Sequence, residues 1–285
     1  MSPRRLGAWR LGLCRWLERA AAAIGGRRYY RRKHLGADVH QRRERVELRE
    51  LPDDLVGFRI AHLSDLHAGP FLGAGDLAAV VEVVNAGRPD LVVLTGDFIT
   101  HHWSEALEIL PDLARLATRH GCLAVFGNHD YRDRAEGRIA AAYRERGIRF
   151  LRNESERLRV GAAVLAVVGL EDLEEARAVD LASALAEVEP GDVPIFLCHN
   201  PAGAVELSRG RSTLVLSGHT HGHQINLPIA RGMGPPHPGD RVELDASTLI
   251  VSRGLGVVCV PLRVAAPAEV VWIELARPEE RRRAG

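Results

Sequence analysis

The sequence predicts an α/β layered fold, because short apolar segments alternate with amphipathic segments of helical period from residue 46 onward. The apolar segments have the length and continuity of strands that are covered on both faces. A chain of 285 residues with 46% hydrophobic content is long enough to bury one large core. We therefore predict a single domain over residues 46–277, with a basic arm and linker before it (1–45) and a charged tail after it (278–285).

Residues 6–24 of the arm have the pattern of an amphipathic helix. Its apolar side chains recur at steps of three or four residues, namely Leu6, Trp9, Leu13, Trp16, Leu17, Ala20 and Ile24. Arginines interrupt this stripe, so no uncharged run approaches the ~20 residues that span a bilayer. We predict that residues 1–24 form an interfacial helix on a membrane surface; the alternative is a helix packed on the protein's own body or at a dimer contact. The Arg-rich residues 27–45 are predicted to be a linker.

Strands and helices then follow in alternation. The predicted strands are Phe58–Leu63, Leu91–Leu94, Cys122–Phe126, a pair that includes Val160–Val168, Ile195–Cys198, Leu214–Leu216 and several segments within Leu249–Leu275. The predicted helices are Leu77–Val84 with Asp76 as N-cap, Glu105–Ala117, Arg134–Arg146 ended by Gly147, Leu173–Val188, and a short helix after Pro201. Residues 226–240, rich in Gly and Pro, are predicted to form a long loop.

The net charge of +1 is unevenly distributed along the chain. Residues 1–45 contain thirteen basic and three acidic side chains, a net charge of +10, which leaves −9 for the remainder. A cationic arm indicates an anionic partner surface, and the apolar stripe favours a membrane over nucleic acid. The four cysteines, Cys14, Cys122, Cys198 and Cys259, have no framework spacing, which favours a reducing compartment.

Five short clusters of His, Asp and Asn follow the predicted strands. They are Asp65-Leu66-His67, Gly96-Asp97, Gly127-Asn128-His129-Asp130, His199 and Gly218-His219-Thr220-His221. The carboxyl ends of strands are where α/β sheets collect ligand-binding residues, so these clusters are expected to meet. Their oxygen and nitrogen donors suit Mn, Fe or Zn, and they are too many for one ion.

Two neighbouring divalent cations are typical of phosphoryl-transfer sites. His129 is not needed as a ligand, and its place beside Asn128 suits a general acid that protonates the leaving oxygen. Asp130 is predicted to orient the His129 ring.

The motif order DxH, GD, GNHD, H and GHTH resembles that of the calcineurin-like metallophosphoesterases, over residues 58 to about 275. The resemblance implies a four-layer sandwich of two mixed β-sheets flanked by helices. It also implies the roles of the site residues: a first metal held by Asp65, His67 and His221, a bridging Asp97, a second metal held by Asn128, His199 and His219, and His129 as the acid. Two divalent ions are the implied cofactors, with Mn²⁺ expected first and Zn²⁺ or Fe as alternatives.

The segments Ser252-Arg253-Gly254-Leu255-Gly256, Pro261-Leu262-Arg263 and Ala268-Glu269 resemble a narrower bacterial branch of membrane-associated phosphodiesterases. That branch includes UDP-2,3-diacylglucosamine diphosphatases, and it usually has GHTHGGQ where this chain has His223. The other lipid A diphosphatase type of the superfamily has GNRD, which differs from GNHD here. We expect His101, His102, His223 and Arg253 to contact substrate.

The expected reaction is hydrolysis of a phosphodiester or pyrophosphate bond in a lipid-linked substrate, such as UDP-2,3-diacylglucosamine, to give lipid X and UMP. The alternatives are phospholipid or cell-envelope phosphodiesters, then a soluble nucleotide or phosphoprotein, and last a metal-binding scaffold without catalysis. Nucleic acid is not expected as a partner. The expected location is cytoplasmic, peripheral on the inner face of the cell membrane.

Overall fold

The structure, a computed structural model, describes residues 8–176, 178–209, 211–226, 237, 239–245 and 247–278. Residues 1–7 of the predicted N-terminal helix, most of the predicted loop 226–240 and residues 279–285 of the predicted tail lie outside these ranges. In the ranges that are described, no helix is long and apolar enough to cross a membrane.

The first sheet has, within the described ranges, six strands in the order β1-β12-β2-β3-β4-β5. They are β1 (His40–Glu47), β2 (Arg59–Leu63), β3 (Leu91–Thr95), β4 (Cys122–Val125), β5 (Ile148–Phe150) and β12 (Glu269–Ala276). Strands β2 to β5 are parallel, whereas β12 is antiparallel to β2 and parallel to β1. The loops after β2, β3 and β4 therefore meet at one edge of the sheet.

The second sheet has the described order β10-β11-β9-β8-β7-β6. Its strands are β6 (Glu154–Val160), β7 (Ala163–Gly169), β8 (Val193–Leu197), β9 (Leu214–Ser217), β10 (Arg241–Leu244) and β11 (Ser247–Val251). The four inner strands are parallel, and the outer strands β6 and β10 are antiparallel to their neighbours.

The two sheets pack face to face, with helices on their outer faces. Ile60 and Val93 of the first sheet meet Val167, Ile195 and Leu216 of the second in one buried cluster. Outside the first sheet lie α3 (Ala78–Ala86), α4 (Ser104–Leu113) and α5 (Glu136–Arg144), and outside the second lie α6 (Leu181–Ala184) and α7 (Ala204–Ser208). The predicted α/β sandwich of two mixed sheets flanked by helices is confirmed.

The N-terminal region is part of the folded body. Helix α1 (Ala8–Ala23) packs Ala21 and Ala22 on the core, and α2 (Gly26–His34) inserts the fully buried Tyr30. Strand β1 pairs in register with β12. The prediction of a linker over residues 27–45 is therefore wrong. The signal is hidden because β1 is an edge strand in which Val46 is the one buried side chain. Its neighbours Arg45 and Glu47 are exposed, and Arg42 and Glu44 are half-buried.

A disulfide joins Cys14 of α1 to Cys259, while Cys122 and Cys198 are buried thiols. This pairing disagrees with the expectation of a reducing compartment, because disulfides persist in oxidising environments. The partners are 245 residues apart in sequence, so spacing alone did not indicate the pair.

Two further local predictions differ from the structure. The helix predicted over Leu173–Val188 is reduced to α6, and residues 173–175 form a turn whose N–H groups at Glu174 and Glu175 donate to the Asp172 carboxylate. Asp76 does not cap α3; its carboxylate accepts the Gly73 N–H and pairs with Arg27 and Arg31.

Candidate metal centre

The seven side chains predicted as metal ligands follow strands of both sheets. Those from the first sheet are Asp65 and His67 after β2, Asp97 after β3 and Asn128 after β4; those from the second are His199 after β8, and His219 and His221 after β9. Each loop begins at the carboxyl end of a parallel strand, and the packing of the two sheets brings these ends together.

One group contains Asp65, His67, Asp97 and His221, whose ligand atoms all lie within 4.8 Å of one another. His67 Nε2 is 2.9 Å from His221 Nε2 and 3.3 Å from Asp97 Oδ2. His221 Nε2 is 3.4 Å from Asp65 Oδ1. All four residues are buried. Two imidazole nitrogens this close to two carboxylates form a donor set that suits a divalent cation of the Mn, Fe or Zn type.

A second group lies beside the first and shares Asp97 with it. His199 Nε2 is 3.5 Å from Asp97 Oδ2, and His219 Nδ1 is 3.2 Å from Asn128 Oδ1. The same Asp97 oxygen therefore faces His67 on one side and His199 on the other. This is the position that a carboxylate bridging two ions requires.

A buried nitrogen atom with no hydrogen-bond partner among the described residues supports the binding of a metal ion at this site. His199 uses Nδ1 on the Thr95 carbonyl at 2.6 Å, whereas its buried Nε2 has no hydrogen-bond partner in the described part of the chain. A buried polar atom without a partner is costly, and a coordinated cation would remove that cost. The carbonyl contact also sets the ring so that Nε2 faces the site, as in many metal-binding histidines.

The electrostatics of the site divide the histidine ligands around one firmly ionised carboxylate. Burial opposes protonation of His199, yet the Asp97 and Asp65 carboxylates raise its pKa well above the ordinary value. His219 and His221 are instead held neutral. Burial opposes ionisation of Asp97, yet the charges of His199 and His129 hold its pKa well below the usual range. Burial and the His199 charge lower the pKa of His219 to about 4. Burial together with His67 holds the pKa of His221 well below its ordinary value. Neutral imidazole is the form that binds metals.

The ligand loops have an unusual backbone. Five of the ligands have left-handed φ angles, with Asp65 at 49°, His67 at 46°, Asp97 at 57°, His219 at 71° and His221 at 53°. Such conformations cost about 1–3 kcal/mol per residue outside glycine and persist at functional sites. We therefore expect the loops to be held by many backbone contacts.

Asp130 provides several of those contacts. Its carboxylate accepts N–H bonds from Asp97, Phe98, Ile99 and Gly127 at 2.8 to 3.2 Å. Both oxygens are thus used to join the Asp97 loop to the turn of Asn128. The prediction that Asp130 orients the His129 ring is not supported, because the ring nitrogen Nδ1 of His129 lies instead 3.3 Å from the Thr100 carbonyl.

His129 lies at the edge of the group that contains Asp97. Its backbone N–H donates to Asp97 Oδ1 at 2.8 Å. Its ring is edge-on to the ring of His67, and the two ring centroids are 4.5 Å apart. The side chain is half-buried and reaches solvent. This position suits the predicted acid, since it adjoins the ligands without being one of them.

The side chains expected to contact substrate occupy different environments. His101 Nε2 is 2.6 Å from Glu18 Oε2 of α1, and His102 Nδ1 is 2.8 Å from Ser104 Oγ on the exposed loop before α4. Arg253 is ion-paired with the buried Glu269 at 2.9 Å, so its guanidinium serves the fold. His223 is half-buried with φ of 64°, the backbone conformation that favours glycine, which is the residue the related branch has there.

Three residues near the site were not singled out from the sequence. Glu174 Oε1 is 3.5 Å from His219 Nε2, on the ring side opposite Asn128. Glu18 accepts the Cys259 N–H at 3.1 Å in addition to its His101 contact. Arg132 Nη2 is 2.7 Å from His129 Nε2. Only Arg132 had a sequence signal, because it lies three residues after the predicted acid.

Comparison with known proteins places these motifs in a family. The family described as Calcineurin-like phosphoesterase matches residues 58–223, more than half of the chain. The "Uncharacterized metallophosphoesterase YkuE" of Bacillus subtilis is 29% identical over 235 residues, which cover 79% of this chain and 81% of the relative.

Two animal relatives share the name "Transmembrane protein with metallophosphoesterase domain". The Bos taurus protein is 28% identical over 246 residues, and the Danio rerio protein is 30% identical over 244 residues. Each match covers 81% of this chain, which spans 55% of the bovine protein and 56% of the fish protein.

Proposed function

This chain belongs to the calcineurin-like phosphoesterase family of metal-dependent hydrolases, and from that premise we propose that it binds two divalent ions and cleaves a phosphodiester or pyrophosphate bond. The observation that carries the proposal is the position of Asp97 Oδ2, 3.3 Å from His67 Nε2 and 3.5 Å from His199 Nε2. Mn²⁺ is the first candidate for both positions, and Zn²⁺ or Fe suits the same mixed oxygen and nitrogen donors.

The chain's own residues supply orientation and a proton. A pair of divalent ions, when bound, neutralises phosphoryl charge and makes water a stronger nucleophile. The Thr100 carbonyl lies by His129 Nδ1, which leaves Nε2 as the nitrogen that can face a leaving oxygen. To act as the acid, His129 would first take up a proton at Nε2 from water and would then pass that proton to the leaving oxygen as the substrate bond breaks. Asp130 holds the Asp97 and Asn128 loops in register while this happens.

The membrane partner is supported by the exposed face of α1. Leu13, Trp16 and Ile24 are 48%, 64% and 88% exposed, although they lie at helical spacing on one apolar face. Beyond α1, the exposed Arg28, Arg32 and Lys33 of α2 flank Ile24. Apolar side chains next to a cluster of cations match the surface of an anionic bilayer.

The same helix lies beside the mouth of the metal centre. Glu18 on the inner face of α1 contacts His101, and the neighbouring Thr100 donates to the His67 carbonyl at 3.0 Å. A bilayer against the outer face of α1 would therefore be close to the ligands. This supports a lipid-linked phosphate as substrate, with UDP-2,3-diacylglucosamine as the preferred example and phospholipid or cell-envelope phosphodiesters as the alternative.

The substrate proposal is tested by turnover on two compounds in parallel, with Mn²⁺ and with chelator. Metal-dependent cleavage of UDP-2,3-diacylglucosamine in mixed micelles, far faster than that of bis(p-nitrophenyl) phosphate, is the expected result. Cleavage of the chromogenic diester alone would discard the lipid A substrate and keep the reaction. No turnover of either compound by the metal-loaded protein would instead favour the scaffold alternative.

The membrane proposal has a separate test in which lipid binding is measured directly. Trp16→Ser combined with Ile24→Ser should reduce cosedimentation with phosphatidylglycerol vesicles by about tenfold or more, because about 0.8 kcal/mol is lost per unburied methylene. Val56→Ser is the control, since Val56 is 48% exposed but lies away from α1 and α2. Equal vesicle binding by wild type, the Trp16→Ser/Ile24→Ser double variant and the Val56→Ser control would contradict the proposal.

We also propose that the protein is peripheral on the membrane. The sequence predicts the inner, cytoplasmic face, whereas the Cys14–Cys259 disulfide favours an oxidising side. The state of these two cysteines makes the side testable. On the cytoplasmic face these cysteines should be trapped as free thiols by alkylation of intact cells, because cytosolic reductants keep thiols reduced. Recovery of the disulfide-bonded form from cells would place the protein on the other side.

A further inference from the structure

Arg132 is the cationic side chain nearest to the proposed acid. Its N–H donates to the His129 carbonyl at 3.1 Å, so the two residues belong to one turn. Its Nη1 donates to the Thr100 carbonyl at 2.8 Å, and its Nη2 lies 2.7 Å from His129 Nε2. The guanidinium is thus fixed at two points beside the reacting nitrogen of His129.

The charge of Arg132 has no direct acidic partner among the described residues. Asp97, Glu18 and Glu175 act on it only from a distance, whereas the other arginine discussed near the site, Arg253, is paired with Glu269. Residue Arg132 is also exposed on the solvent side of the site. In the part of the chain that the structure describes, its remaining N–H donors have no hydrogen-bond partner, and the side chain is accessible from solution.

A planar guanidinium with free N–H groups matches the spacing of two phosphoryl oxygens. A phosphate group would also supply the negatively charged partner that Arg132 lacks among the described residues. In contrast, the contact with neutral His129 Nε2 uses only one donor and one nitrogen lone pair. A substrate phosphoryl group at the metal centre would offer a stronger partner within reach of the same side chain.

We propose that Arg132 is a catalytic residue that binds a non-bridging phosphoryl oxygen of the substrate. Contact with phosphate would turn Nη2 away from His129 Nε2 and free that nitrogen for the leaving oxygen. The Thr100 carbonyl would continue to hold Nη1, so the movement is confined to the end of the side chain. This inference rests on the proposed phosphoesterase function and assigns one further substrate contact to it.

The rival role for Arg132 is to orient His129 without touching substrate. Inorganic phosphate separates the two roles, because phosphate has no leaving group for His129 to protonate. A residue that only orients His129 should affect turnover and leave phosphate binding unchanged. A residue that contacts a phosphoryl oxygen should affect both.

The test is calorimetric titration of the manganese-loaded protein with inorganic phosphate, on wild type, Arg132→Gln, Arg132→Lys and the control Arg134→Gln. Arg134 is an exposed arginine two residues further along, after the same turn. We expect Arg132→Gln to weaken phosphate binding by about 10- to 100-fold, as for loss of a charge-assisted hydrogen bond, with Arg132→Lys in between. Arg134→Gln should stay within about twofold of wild type.

Turnover of bis(p-nitrophenyl) phosphate is measured on the same samples, with manganese content and circular dichroism confirming intact protein. Unchanged phosphate affinity in Arg132→Gln with reduced kcat would overturn the proposal in favour of the orienting role. An equal loss in Arg134→Gln would also overturn it, because the effect would then be general charge. Absence of turnover by the wild-type protein would count against the proposed phosphoesterase function. It would not decide the role of Arg132, because the phosphate titration tests that role separately.

Discussion

Asp97 and His129 show how single residues divide the work of the site. Asp97 faces ligands of both groups through one oxygen and accepts the His129 N–H through the other. The acid is therefore joined by its backbone to the shared ligand, while its ring nitrogens contact the Thr100 carbonyl and Arg132 instead. A substitution of Asp97 would disturb metal binding and the acid together. A substitution of the His129 side chain can change proton donation without changing metal binding.

His129→Asn should lower kcat by about 10² to 10⁴ on diesters with poor leaving groups, such as alkyl or phenyl esters, because those need a proton on the departing oxygen. The loss on nitrophenyl esters should be much smaller. Manganese content should not change, since His129 is not among the ligands. His40→Asn is the control, because His40 is exposed at the start of β1 and has no assigned role in the site. An equal loss for all leaving groups would remove the acid role from His129.

His62 is the residue whose titration is expected to influence stability. It is fully buried, with Nε2 2.7 Å from Thr95 Oγ1, and burial and the Arg42 charge lower its pKa from 6.5 to about 3. The unfolded chain therefore binds one more proton than the folded chain between those values. The contribution of neutral His62 to the free energy of unfolding is fully present above about pH 6.5. This contribution is lost as the pH falls toward about 3.

Chelated wild-type protein should thus lose about 2 kcal/mol more unfolding free energy than His62→Gln between pH 7 and pH 4.5, because each pH unit below 6.5 contributes up to about 1.4 kcal/mol. Glutamine keeps a polar group near Thr95 and does not titrate. Urea unfolding at both pH values measures the difference. Identical pH dependence of the two proteins would show that His62 is protonated in the fold.

At the scale of elements, the turns after the strands decide the geometry of the site. The sequence correctly indicated which strands precede the ligands, because β2, β3, β4, β8 and β9 consist mainly of apolar residues. Alternation along a strand would place the side chains of Asp65 and His67 on one face. The structure instead places both in left-handed turns, and that conformation cannot be inferred from apolar periodicity. Contacts such as Asp130 with four backbone N–H groups depend on tertiary structure.

Gly127→Ala should reduce manganese affinity by tenfold or more, because a Cβ there would collide with Asp97 Oδ1 and lie 2.7 Å from His199 Cε1. Gly137→Ala in α5 is the matched control, since no atom lies within 4 Å of its Cβ position and alanine favours helix. Competition with a fluorescent chelator reports both affinities. Wild-type affinity in Gly127→Ala would show that the ligand turns are pliable.

Helix α1 is joined to the body by the Cys14–Cys259 disulfide and by Glu18. Dithiothreitol should lower the Tm of wild type, because a cross-link closing so long a loop typically contributes about 2–4 kcal/mol. Cys14→Ser should have the lower Tm already and respond little to the reductant, since Cys122 and Cys198 are thiols in either state. A reductant effect that persists in Cys14→Ser would refute this role.

At the scale of the whole molecule, the site exists only where the two sheets meet. Asp65, His67, Asp97 and Asn128 come from the first sheet, whereas His199, His219 and His221 come from the second. The sequence order alone did not show which strands form which sheet; the family resemblance implied two mixed sheets without dividing the strands between them. The N-terminal strand β1 was missed because its exposed charged residues resemble a linker. Ion binding should therefore stabilise the packing of the two sheets as well as the loops.

The most direct test of the account is the number of manganese ions per chain in reconstituted wild type, His221→Ala and His219→Ala, measured together with turnover of bis(p-nitrophenyl) phosphate. His221 and His219 belong to different ligand groups that share Asp97. We predict about two ions in wild type and about one in each variant, with turnover lost in both variants and in chelated wild type. A single ion in wild type, or turnover that survives chelation, would contradict the two-ion site.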